Sequence, residues 1–215
     1  MIERIYDHAT AALFATGPSL SAEQVELVRG HADIVRIGCN DAYRLVPDLD
    51  ILYAPDPTWI DYHSAELEGY SARRLSCKQD GPRQFPDWEQ LEWRDQPGLS
   101  PAHDYIHTGS HSGAAMIDIA RKLGCNYLIL LGYDGGPAGT HFFGPHPRPL
   151  HRSTHYDQYN QKFLPITADC TRLGIEVINA TPGSRIKAFP SASLEEALDY
   201  HCLRRNRPVA DAAAG

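Results

Sequence analysis

Residues 127–131 read Tyr-Leu-Ile-Leu-Leu, a run with no polar break. Such a run is too short for a buried helix of its own, and it lacks the alternation of a strand with one wet face. It fits a strand buried on both faces, which occurs in parallel sheets covered by helices. Parallel strands need crossovers of about a dozen residues or more, usually helical. The segment before the run has that form: Ala115, Ile119, Ala120 and Leu123 recur at helical spacing, and Gly124 is placed to stop the helix. Before it lies a loop of small residues, Thr108-Gly109-Ser110-His111-Ser112-Gly113, and after the strand come Gly132-Tyr133-Asp134, His141 and His146. Ligands of open parallel sheets bind beyond the carboxyl ends of the strands, where Asp134 is expected. A small-residue loop opening a helix can turn backbone N–H groups and the positive end of the dipole towards an anion. The same residues also serve as an ordinary turn and cap.

The rest of the chain repeats the alternation. Residues 11–15 form an apolar strand leading into Thr16-Gly17-Pro18-Ser19, and Ser21 and Gln24 are spaced as a capping box for a helix over 23–29. A strand over 33–37 ends near Asn40, whose amide can bind a base or ribose or close an Asx-turn. A strand over 50–54 ends at Asp56. Thr16-Gly17, Asn40 and Asp56 therefore follow three successive strands, and one sheet edge would gather them. Residues 66–104 read as an irregular insertion with at most a short strand or two, covering the mouth of the site. Trp88 and Trp93 within it can stack on a sugar or clamp a loop. A helix over 156–172 should kink near Lys162 because of Pro165. A strand over 175–179, a helix capped by Ser193 and a frayed tail over 209–215 complete an α/β fold with a mostly parallel sheet, a single domain over 1–208.

The formal net charge of −7 gives no general attraction to nucleic acid, so a polyanion would need a local patch, from Arg73, Arg74 and Lys78 or from Arg204, Arg205 and Arg207. Five cysteines without close spacing, two of them (Cys125 and Cys170) in apolar segments, indicate reduced structural thiols and a cytoplasmic location. No apolar run approaches the length of a membrane span, and no Gly-rich Walker loop with its lysine is present. A zinc site from His141, His146, His151 and His155 has irregular spacing and no obvious acidic partner.

Several motifs occur in a fixed order: Gly17-Pro18-Ser19-Leu20, Cys39-Asn40, Ser112-Gly113 opening a helix, Leu131-Gly132-Tyr133-Asp134, and Gly144 with His146. In these the chain resembles the bacterial sialyltransferases of the Campylobacter type and the related DUF115 Rossmann-like proteins, which include an archaeal hydroxymethylpterin pyrophosphokinase. It resembles more closely a group common in tailed phages, through Ala54 to Trp59, Ser112 to Asp134, His141 to Pro147 and Asn179 to Ser184. The resemblance implies a Rossmann-like, GT-A-like fold, and a glycosyltransferase whose nucleotide-sugar donor is held by Thr16, Gly17, Pro18, Ser19, Asn40 and Asp56. Ser110, His111, Ser112 and Gly113 would lie beside its phosphate. His146 would be the general base on the acceptor hydroxyl of a glycan or modified nucleobase, with Asp134 and His141 orienting. No tightly bound cofactor or metal is expected, nor membrane attachment; a homo-oligomer is compatible with this reading, as is location in a host cytoplasm if the chain is phage-encoded. Thr16 stands where the family has asparagine and His111 where it has threonine, and Gly135-Gly136 replace the expected tyrosines. The resemblance thus implies a nucleoside leaving group rather than sialic acid in particular. The alternatives are a pyrophosphokinase or phosphotransferase with Asp56 and Asp134 holding Mg²⁺, and a non-catalytic nucleotide-binding protein.

Overall fold

The structure is a computed structural model that describes residues 2–79, 85–136, 141–148, 150 and 160–206. Eight parallel strands form one sheet in the order β6-β5-β4-β3-β2-β1-β7-β8. They are β1 (Thr10–Phe14), β2 (Val35–Cys39), β3 (Ile51–Tyr53), β4 (Arg73–Cys77), β5 (Glu89–Arg94), β6 (Tyr105–His107), β7 (Tyr127–Leu131) and β8 (Glu176–Asn179). Among the described residues the helices are α1 (Ala22–Arg29), α2 (Pro57–His63), α3 (Ser112–Leu123), α4 (Phe163–Leu173) and α5 (Leu194–Arg205), with a 3-10 turn over Asn40–Arg44.

β1 and β7 lie side by side, every residue of both is buried, and their registers run Ala12 to Ile129 and Phe14 to Leu131. The period-2 alternation of β1 divides the core. Ala11 and Leu13 pack with Met116, Ile119 and Leu123 of α3 and Ile166 of α4; Ala12 and Phe14 pack with α1, α2 and α5 through Val25, Trp59 and Leu198. Helices cover both faces, as the all-apolar β7 requires. Their ends follow local chemistry. Ser21–Gln24 and Ser193–Glu196 are complete capping boxes, and α3 stops at Gly124 with φ 105°.

Residues 66–104 correct the expectation of an irregular insertion over the mouth. They carry β4 and β5 into the main sheet, and with β6 these extend its far side. Leu75 and Cys77 of β4 and Leu91 of β5 turn to the core while Glu92 and Arg94 are exposed, so these strands lack the continuous apolar signal of β7. Trp88 is buried and so not placed to stack on a sugar; half-exposed Trp93 donates its indole N–H to the Lys78 carbonyl at 2.9 Å. Both serve the sheet. The interruption expected at Lys162 is the start of α4, which places Pro165 in its first turn, where a missing N–H breaks no helical bond. Residues 156–159 and the tail lie outside the described residues, as do His151 and His155.

Candidate functional site at the carboxyl edge

From β1 the chain builds outward strand by strand to β6; α3 then carries it back to β7, on the other side of β1. The order reverses between β1 and β7, and the helices following them lie on opposite faces. That reversal opens the crevice in which sheets of this kind hold ligands.

The loops leaving these strands are tied together. Gly17 N–H donates to the Gly132 carbonyl at 2.9 Å, and Ser19 donates to Asp134 twice, from its hydroxyl (2.8 Å) and its backbone N–H (3.2 Å). Leu20 N–H returns to the Gly17 carbonyl at 3.1 Å, closing the turn that holds Pro18 and Ser19. A Cβ on Gly17 would sit 1.9 Å from an Asp134 oxygen and 2.4 Å from the Gly132 carbonyl, so only glycine fits. Burial raises the Asp134 carboxyl above its ordinary value, opposed by the Ser19 bonds, which favour the charged form.

The segment from His141 to His146 lies over this turn. Phe142 N–H donates to the Thr16 carbonyl at 3.2 Å, and His141 Nδ1 lies 3.0 Å from the Thr16 hydroxyl and 3.2 Å from its carbonyl. A carbonyl can only accept, so the contact is satisfied when Nδ1 carries the proton and the lone pair rests on Nε2. The His146 ring centroid is 4.5 Å from that of His141, and Phe143 stacks on His141 at 4.9 Å. Burial lowers the basicity of His141, and His146 adds to that, while the Thr16 carbonyl and Asp41 oppose it.

Asn40 and the α3 loop meet across the edge. Asn40 adopts φ 47°, a left-handed conformation that asparagine tolerates, and its amide donates to the Ser112 hydroxyl at 3.4 Å. His111 caps α3 by accepting from Gly113 N–H at 3.0 Å. Burial, with Lys162 nearby, pushes its imidazole down to about 4, so it is neutral near pH 7. Gly113 is pinned by Tyr133, whose hydroxyl donates to its carbonyl at 3.0 Å and whose ring leaves no room for a Cβ. Ser110, at φ 55°, donates to Asp95 and accepts from Lys162 at 2.8 Å. Thr16, Gly17, Pro18, Ser19, Asn40, Ser110, His111, Ser112, Gly113, Asp134, His141 and His146 therefore all stand at one edge of the sheet. Asp56 follows β3, two strands from β1, and caps α2 by accepting from Thr58 N–H at 2.8 Å.

Compared with known family models, curated proteins and solved structures, the chain matches none.

Behind the site, Asp41 carried no sequence expectation, and residues 179–184 carried a motif without an assigned role. Asp41, next to Asn40 in the same 3-10 turn, is buried, accepts from Trp59 Nε1 at 2.8 Å and lies 3.6 Å from His63. The adjacent pair Asn40-Asp41 was its only signal. The motif over residues 179–184 is a brace: Thr181 Oγ1 accepts from Tyr133 N–H (2.9 Å), the Ser184 hydroxyl donates to the Tyr133 carbonyl (2.6 Å), and Arg185 N–H donates to the Asp134 carbonyl (2.8 Å). It fixes the turn that presents Asp134. No group of three or more possible metal ligands is found among the described residues, and no helix among them is long and apolar enough to cross a membrane. The five cysteines are free, and burial pushes the thiols of Cys39, Cys125 and Cys170 up to about 12.

Proposed function

We propose that this chain is a transferase that binds a nucleotide-activated donor, a nucleotide sugar, in the crevice between β1 and β7 and passes its group to an acceptor hydroxyl. The observation that carries this reading is that a single turn after β1 is gripped from both sides, by Asp134 on Ser19 and by His141 on Thr16. Two imidazoles, a carboxylate and the start of α3 stand together at this edge. Asn40 and Ser112 would hold the nucleoside and its phosphate, the α3 N–H groups favouring the anion, with His111 kept neutral. His141 and His146 share the proton-accepting role, and the geometry favours His141 Nε2 as the basic nitrogen because the Thr16 carbonyl fixes the other as donor. This shifts weight from His146, which the family resemblance favours.

A magnesium-dependent phosphotransferase is the weaker reading. Asp56 is used as a helix cap, and both Asp134 oxygens accept from Ser19. The test is a thermal-shift series with nucleoside mono- and diphosphates followed by turnover with the stabilising nucleotide's sugar conjugates. Binding should be lost in Ser112→Ala and Asn40→Ala, while His141→Ala and His146→Ala retain it and lower turnover, the greater by ~10²–10⁴-fold. If no nucleotide stabilises the protein, or if turnover survives both histidine changes, the proposal is wrong.

A further inference from the structure

The opposite edge of the sheet carries a cavity of about 410 Å³ whose lining includes His8, Thr10, Asp33, His201, Arg204 and Arg205. Thr10 opens β1, Asp33 precedes β2, and the other polar groups come mainly from the last turns of α5. Six residues of extended chain, roughly 20 Å, separate Thr10 from Thr16 at the carboxyl edge. The two sites are therefore distinct.

His201 is the deciding residue. It is 4% exposed; its Nδ1 lies 2.9 Å from the Thr10 hydroxyl, and its buried Nε2 has the Asp33 carboxylate as its one polar neighbour among the described residues, in poor hydrogen-bond alignment. Asp33 comes within 3.2 Å of that nitrogen without hydrogen-bond geometry, and Asp33 is itself held by Arg205 at 3.0 Å. Buried polar groups held only by a poorly aligned contact are rare, because each carries much of the cost of lost hydration. With Thr10 donating to Nδ1, Nε2 carries a hydrogen that Asp33 accepts only at a poor angle. Around it stand two guanidinium groups, Arg204 paired with Glu176 outside the lining and Arg205 with Asp33 within it. Arg204 is already oriented, donating to the Asn126 side-chain oxygen Oδ1 at 2.9 Å and pairing with Glu176.

We propose that this cavity binds a small oxyanion, the phosphate or carboxylate group of a metabolite, with His201 Nε2–H, Arg204 and Arg205 as donors. Asp33 would turn from Arg205 to a hydroxyl of the same ligand. Planar guanidinium groups beside a fixed imidazole donor suit either anion, since both present paired oxygens.

The test titrates the full chain with inorganic phosphate and, separately, with citrate at constant ionic strength, following the His201 ring proton by NMR. Either anion should shift that resonance, and the tighter one identifies the ligand class. Arg205→Gln alters an exposed side chain and should leave the fold intact, yet it should weaken the response at least ~10-fold. His201→Gln, which keeps a side-chain N–H, should bind more weakly than wild type but measurably, as judged by calorimetry. A His201 resonance unmoved by both anions up to about 10 mM, or a response equal in Arg205→Gln, overturns the proposal.

Discussion

Acid should unseat α3 through one residue. His111 caps the helix with Nδ1 as acceptor, a role available only to the neutral ring. Protonation destroys the cap and sets a cation against both the positive helix terminus and Lys162. The folded-state pKa is about 4 against 6.5 unfolded. A depressed histidine pKa means the unfolded chain binds protons more readily. The stability contribution is therefore whole above pH 6.5 and is lost as pH falls towards 4. Integrating between pH 7.5 and 4.5 gives about 2.5 kcal/mol, or about 2 kcal/mol after allowing for the residue's partial exposure. His141 and His201, also shifted down, add in the same direction, whereas Asp134, shifted up, acts oppositely. The decisive measurement is therefore a difference: urea unfolding of wild type and His111→Asn at both pH values. Asparagine keeps a capping oxygen and does not titrate. The wild type should lose about 2 kcal/mol more than the variant. Parallel losses, or a His111 resonance titrating near its ordinary value, would refute the reasoning.

Gly17→Ala should keep the protein folded but abolish nucleotide stabilisation in a thermal-shift assay. The new methyl has to displace the Asp134 carboxylate or the Gly132 carbonyl. Gly124→Ala, remote from the site, should instead cost more than about 3 kcal/mol in denaturant unfolding. Its Cβ would fall 1.6 Å from the Tyr6 carbonyl at a φ of 105°.

The sheet was legible wherever burial on both faces left an unbroken apolar run. β1, β2, β3, β7 and β8 lie where the sequence places them, within a residue or two at each end. β4 and β5 were obscured because one face of each is polar, and β6 has only three residues. The site residues were legible as polar marks after strands, since a parallel sheet sends every such mark to one edge. Asp56 followed the same rule and proved to be a cap, because an aspartate before Pro57 serves a helix start equally well. Asp41 and His63 stayed hidden, since their meeting depends on how the 3-10 turn lies over α2, a tertiary fact without a sequence period.

The brace from Thr181, Ser184 and Arg185 onto Tyr133 and Asp134 also sets a timetable. A chain growing from its amino end exposes Thr16, Asn40, Ser112, Asp134 and His146 well before residues 179–185 exist. The carboxylate turn is left without its clamp until the last strand is made and docked. Any competence of this edge therefore arrives late in synthesis, and a truncation before β8 would possess every candidate group while lacking the scaffold that aligns them.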